Sequence, residues 1–245
     1  VPLVTQLIDK DNYTVYIYHD LQGGLMGRPV RTEPYDLGAA IKAEAWKLST
    51  EQGVEAVALR AIARALNITA PAIYNYFPSR EELLAALVAD ADADLGRYLA
   101  EAHAPHLEDE AGIQFRVVCQ AYRRWGMENP QRYMLFFALK SDQQQTEVSH
   151  TLKALINILN RAQEGGGLKK EEKLTLPPGL SGLLNEWKGQ FGVENEYVLY
   201  LAFIAWSRLH GLILNEIGNR YPPYIKDAGE LFRLEVKTMI YQYFK

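Results

Sequence analysis

From residue 36 onward the apolar positions fall at helical spacing; before it they do not. Between Asp36 and Gln52, Leu37, Ile41, Ala45 and Leu48 recur four, four and three apart and line one face of an amphipathic helix. Gly53 predicts its end, because glycine takes a left-handed conformation without a Cβ penalty. Leu59, Ile62, Ala63 and Leu66 repeat the pattern over a shorter segment, with Arg60 and Arg64 together on the opposite face. Asn67 follows, a residue type that tolerates positive φ. A third short helix is predicted from Thr69, with Thr69 as N-cap and Pro71 in the first turn. In it Ile73 and Phe77 face inward, and Phe77-Pro78 closes it, since proline pushes the preceding residue out of the helical region. Three short helices with a tight turn between the last two make a helix-turn-helix arrangement over 36–78.

Ser79-Arg80-Glu81-Glu82 then reads as a capping box that launches a longer helix carrying Leu83, Leu84, Leu87, Val88, Leu95 and Leu99. Helical periodicity continues over about 108–129, 131–140 and 146–164, broken by Asn129-Pro130 and by Gly165-Gly166-Gly167. Residues 165–193 predict a loop with one short helix around Leu183–Phe191. Two longer helices follow, about 194–217, stopped by Gly218, and about 229–243. The first 25 residues differ: Tyr13 to Tyr18 is β-branched and aromatic, a strand-like patch before Gly23-Gly24. Met26-Gly27-Arg28-Pro29-Val30-Arg31 looks like a natural start with a short basic arm. Residues 1–25 are therefore expected to be either an upstream extension absent from the working protein or a real extension packed as an edge strand. The expected organisation is all-α, with a three-helix unit at 26–80 and a larger helical unit at 81–245.

Charge refines this division. The chain of 245 residues carries a formal net charge of −4, which taken alone argues against a surface coated in basic residues. Its distribution is uneven, however: residues 26–80 hold seven basic against five acidic side chains, so the excess of acid lies elsewhere. The single cysteine, Cys119, excludes an intramolecular disulfide and any multi-cysteine metal site, and its apolar neighbours favour a buried, inert thiol. A reducing, cytoplasmic setting is expected. No apolar run approaches the ~20 residues that span a bilayer, so no membrane association is expected.

The run Leu59-Arg60-Ala61-Ile62-Ala63-Arg64-Ala65-Leu66-Asn67-Ile68-Thr69, continued by Ala72-Ile73-Tyr74-Asn75-Tyr76-Phe77-Pro78-Ser79-Arg80-Glu81-Glu82-Leu83-Leu84, closely resembles the TetR/AcrR family of transcriptional regulators. Farther along, Asn129-Pro130-Gln131-Arg132-Tyr133 and Trp206-Ser207-Arg208-Leu209-His210-Gly211 more loosely resemble the branch of that family named for its Trp, His and Gly. The resemblance implies a homodimer formed through the last two long helices. It also implies repression by binding a palindromic operator in double-stranded DNA, relieved by a small-molecule effector.

Under that reading Thr69 offers a hydroxyl and free backbone N–H groups to a phosphate. Tyr74, Tyr76 and Arg80 match backbone-contacting positions, Asn75 between them is a further DNA-contact candidate, and Arg60 reaches a phosphate or the groove edge. Ala70, Pro71 and Ala72 would be the readers of the first turn; they cannot make bidentate hydrogen bonds to bases, so thymine methyl contacts are expected. Arg28 and Arg31 would add minor-groove contacts. The competing reading makes Tyr76 and Phe77 core residues and Arg60 and Arg64 a solvated face. An apolar effector cavity is expected from Tyr122, Trp125, Met134, Phe137, Phe203, Trp206 and His210, each of which is also a good core residue. Gly211, in mid-helix, is expected to permit close helix approach.

Other chemistries lack their residues. Gly179-Leu180-Ser181-Gly182-Leu183 misses the nucleophile-elbow pattern, and the triple glycine lacks the Ser or Thr of a phosphate loop. His103 and His106 have Pro105 between them and no evident third ligand, so an exposed connection is expected there. No catalytic group, metal or cofactor is assigned. Two rival classes stay open: an enzyme or ligand carrier built on the helical C-terminal half, and an adaptor whose helix-turn-helix meets protein instead of DNA.

Overall fold

The structure is a computed structural model that describes the backbone of Val4–Ile8, Thr14–His19 and Leu25–Met26 and, with side chains, residues 36–136, 149–169 and 176–245. The three N-terminal segments are antiparallel strands β1 (Val4–Ile8), β2 (Thr14–His19) and β3 (Leu25–Met26) in that order, with Thr5 opposite Ile17 and Tyr18 opposite Met26. The β-branched, aromatic patch is thus the central strand. The described chain from residue 36 on is helical.

Among the described residues ten α-helices follow: α1 (Leu37–Gln52), α2 (Leu59–Ala65), α3 (Ala70–Tyr74), α4 (Arg80–His103), α5 (Ala111–Glu128), α6 (Pro130–Leu135), α7 (His150–Glu164), α8 (Pro178–Phe191), α9 (Glu196–Ile217) and α10 (Ala228–Tyr243). Their ends are set by local chemistry. Asp36 caps α1 by accepting the Ala39 N–H at 2.9 Å, and Gly53 ends that helix at φ +86°. Ser79 caps α4 by accepting the Glu82 N–H at 3.1 Å. Asn67 takes φ +53° in the turn between α2 and α3, as its residue type allowed.

Two hydrophobic clusters organise these helices. The first joins Ile41 and Ala45 of α1, Leu59 and Ile62 of α2, Ile73 of α3, and Leu83, Leu84 and Leu87 at the start of α4. The second takes Ala91, Leu95 and Leu99 from the rest of α4 and packs them with α5, α7, α9 and α10. One helix therefore contributes three leucines to one cluster and its next turns to the other. Side chains elsewhere also tie the clusters: Leu135 of α6 is buried in the first, and Trp46 of α1 packs against both.

Three expectations change. The loop predicted at 165–193 contains α8, a full helix of 14 residues whose glycines at 179, 182 and 189 meet open space rather than neighbours. Gly211 likewise has no atom within 4 Å of where a Cβ would sit, so no described helix of this chain approaches it closely. Finally, α9 is long and apolar enough to cross a membrane by length and composition, although its apolar residues form no unbroken run. Glu196, Arg208, His210 and Glu216 interrupt it, and it packs against α5, α7, α8 and α10 as a core helix. Part of the predicted helix at 131–140, including Phe137, lies outside the described residues, as do Arg28 and Arg31.

Candidate nucleic-acid interface and ligand-binding core

The turn from α2 to α3 leaves a run of side chains exposed on the surface. Arg60 and Arg64 of α2 are exposed, as are Thr69, Ala70 and Pro71 at the start of α3, and Asn75 at its end. Ala72 is half-buried. Tyr74 is 42% exposed and Tyr76 51%, large apolar rings held in water by a helix whose other face buries Ile73 completely. Phe77 turns the other way and packs on the first cluster. Tyr76 and Phe77, which sequence reading left between core and contact, thus separate. Tyr76 is also braced: a Cβ on Gly38 would lie 3.4 Å from its ring, so the start of α1 supports the ring's inner edge.

Two expected contacts are more constrained than residue type suggested. Thr69 accepts the Ala72 N–H at 3.4 Å, and Pro71 has no N–H, which leaves the Ala70 N–H as the open backbone donor of that turn. Arg80 points inward. Its Nε donates to the Val57 carbonyl at 2.8 Å and one Nη to the Val54 carbonyl at 2.9 Å, with Glu55 at 3.5 Å. The guanidinium thereby fastens the first turn of α4 to the loop between α1 and α2. Its neighbours in sequence gave no hint of this, because the partners lie more than twenty residues upstream.

In the larger cluster, Tyr122, Trp206 and His210 come together, joined by Tyr133, which sequence reasoning had not placed there. The Tyr122 hydroxyl meets His210 Nδ1. The Tyr133 hydroxyl lies 3.1 Å from the same nitrogen, 3.2 Å from the Tyr122 hydroxyl and 3.3 Å from the His210 carbonyl oxygen. The Trp206 indole stacks on the imidazole at 4.7 Å, and its N–H is buried with no partner among the described residues. Burial pushes the imidazole down to about 4, so the ring is neutral beside the two phenols. Burial pushes both phenols and the Cys119 thiol up, and all stay protonated.

The remaining pocket candidates divide. Trp125 is fully buried, stacks on Phe136 at 6.0 Å and donates its indole N–H to Asp94 at 3.2 Å. Asp94 also accepts from Arg132 at 3.0 Å, and that guanidinium lies 5.2 Å above the Trp46 ring of α1. Phe203 faces Trp187 of α8 at 6.0 Å instead, and Met134 is half-buried on α6. Together Tyr122, Trp125 and Tyr133 fill space rather than enclose it. A cleft of about 340 Å³ lies elsewhere, between α4, α5 and α7, and none of the expected pocket residues lines it. The histidine pair is hydrogen-bonded within the fold: His103 Nε2 meets Gln114 Oε1 at 2.8 Å, and His106 Nδ1 meets Asp109 at 2.7 Å.

Comparison with known proteins agrees with this layout. Residues 41–87 match the family described as "Bacterial regulatory proteins, tetR family", and residues 115–239 match the family described as "Tetracyclin repressor-like, C-terminal domain". The chain is 24% identical over 199 residues to the HTH-type transcriptional regulator Rv1816 of Mycobacterium tuberculosis, covering 78% of this chain and 85% of that protein. Among solved structures it resembles the regulatory protein SCO4313, with 26% identity, a TM-score of 0.64, and coverage of 83% of this chain and 94% of the other. The fold also matches the TetR-family regulator PfmR from Thermus thermophilus, at 21% identity, a TM-score of 0.51, and coverage of 82% and 97%.

Proposed function

Because the chain belongs to the TetR family of bacterial transcriptional regulators, we propose that it acts as a homodimeric repressor that a small-molecule effector releases from a palindromic operator. The observation that carries this reading is the exposure of Tyr74 and Tyr76 at the end of α3, beside exposed Arg60, Thr69 and Asn75. The exposed part of these rings adds nothing to stability, whereas a phosphate backbone supplies acceptors for their hydroxyls. With α3 in the major groove, two copies related by twofold symmetry read half-sites about 34–36 Å apart or a multiple of it. Ala70 and Pro71 favour thymine methyl contacts at the helix start.

Dimerisation through α9 and α10 is supported by side chains that this chain leaves uncovered. Leu234 and Tyr241 of α10 are exposed, and Gly211 presents a bare backbone on α9 with no described atom near it. Room for a close approach, unused within the chain, suits a second copy.

Release requires that the effector differ in affinity between the DNA-binding conformation and another. The leucines of α4 divided between the two clusters supply one mechanical link, and the Arg132 contact with Trp46 together with buried Leu135 supplies a second. Tenfold release needs about 1.4 kcal/mol of coupling. Such a regulator works in the cytoplasm, where its DNA is.

The test is a footprint on the DNA upstream of the protein's own gene, with sedimentation of the complex. Protection of a twofold-symmetric site by a dimer is expected. Absence of protection at low salt overturns the reading, and protection of an asymmetric site by one copy overturns its dimeric part.

A further inference from the structure

The floor of the cleft between α4, α5 and α7 is apolar, made by buried Leu99, Val118 and Ile158. One wall carries Lys153, Asn157 and Arg161, which recur every fourth residue and so share one face of α7. Among the described residues, none of these three side chains has a hydrogen-bond or ion-pair partner. The other polar groups on the walls are occupied. Gln114 pairs through Oε1 with His103 and gives its amide N–H groups to the Leu107 and Asp109 carbonyls at 3.1 and 2.7 Å. His150 pairs through Nδ1 with Asp92 at 2.6 Å, seated against Gly96, where a Cβ would come within 2.5 Å of the ring.

No Asp or Glu among the described residues lines the cleft, although the chain as a whole carries a net charge of −4. An acidic protein has thus placed two unpaired cations and no carboxylate around an apolar floor. Elsewhere Lys42 pairs with Asp90 and Lys188 with Glu196. We propose that this cleft binds a small organic anion with an apolar body, its carboxylate or phosphate held by Lys153 and Arg161, its body on Leu99, Val118 and Ile158. A ligand there would give the proposed effector a chemical class and place it away from the Tyr122–His210 cluster, and its regulatory meaning rests on the proposed repressor function. Binding itself does not.

Calorimetry on the full chain without DNA tests it, using decanoate and decyl phosphate as anionic probes and decanol and decyltrimethylammonium as controls. At least one anion is expected to bind, with decanol weaker by about tenfold, the scale of a charge-assisted hydrogen bond. Preference between the two anions identifies the head group. The double variant Lys153→Met with Arg161→Met is expected to lose a similar factor. Ala100→Trp, at an exposed position on the α4 wall, is expected to block binding with both cations in place. Decanol binding as tightly as both anions, no binding of either anion, or unchanged binding in these variants overturns the proposal. Adding the bound probe to the protein–DNA complex separates the two readings. Binding without release contradicts the effector role and leaves the cleft, whereas release that survives Ala100→Trp contradicts the cleft and leaves the effector role.

Discussion

Tyr74 and Tyr76 on and just after α3 and Tyr122 and Tyr133 on α5 and α6 are the same residue type under opposite constraints. The first pair stands in water, 42% and 51% exposed, beside a five-residue helix anchored by buried Ile73. The second pair is fully buried, and its hydroxyls satisfy each other and His210. Buried phenols with matched partners contribute to holding one conformation. Half-exposed phenols contribute less to folding, and their hydroxyls stay open to a partner outside the chain. Mutations on the two sides should therefore separate stability from DNA affinity.

The largest stability loss is expected at Trp125→Ala. Removing this fully buried indole costs about 3–5 kcal/mol, measurable as a lower urea midpoint, while the folded fraction keeps its affinity for DNA. Acid comes next. His210 is held at about 4, below the 6.5 of an unperturbed imidazole. Between these values the unfolded chain binds the extra proton, so stability falls as pH drops from about 6.5 to about 4 and levels off below. The full difference is about 3 kcal/mol. Urea titrations across that window should show the slope, and His210→Gln should flatten it; an unchanged slope means that other groups carry the acid sensitivity.

Arg80→Ala lies between the two regions. It removes charge-assisted bonds to the Val54 and Val57 carbonyls and should cost about 1.5–3 kcal/mol of stability. DNA affinity should fall with it, because the loop and α4 lose their common clamp. A loss of affinity with no loss of stability would instead make Arg80 a direct phosphate contact. The smallest stability effect belongs to Tyr74→Ala, within about 0.5 kcal/mol.

What could be read in advance follows from the range of the interactions. Asn67, Thr69 and Ser79 act on backbone groups within a few residues of themselves, and each turns or caps as its type and spacing implied, while Gly53 ends α1 at positive φ but outside the left-handed helical region. Arg80 binds carbonyls 23 and 26 positions away, so its spacing within the motif carried no information about its direction. The cavity candidates were ambiguous in the sequence for a related reason. Aromatic residues at helical spacing suit a pocket wall and a packed core equally, and only the packing of α5 against α9 shows Tyr122 and Trp125 to be filled in. The cleft did not stand out in the sequence, because Lys153, Asn157 and Arg161 look like the ordinary polar face of an amphipathic helix. It gains meaning once α4 and α5 supply the apolar floor.

Central to this account, α3 and the exposed tyrosines on and just after it meet DNA. Fluorescence anisotropy with a labelled duplex from upstream of the gene, for the wild type and the Tyr74→Ala and Tyr76→Ala variants with their melting curves alongside, tests it most directly. Unchanged melting with a loss of about tenfold or more in affinity per tyrosine, the scale of a hydrogen bond to a charged group, is the predicted result. Wild-type affinity in both variants would contradict it.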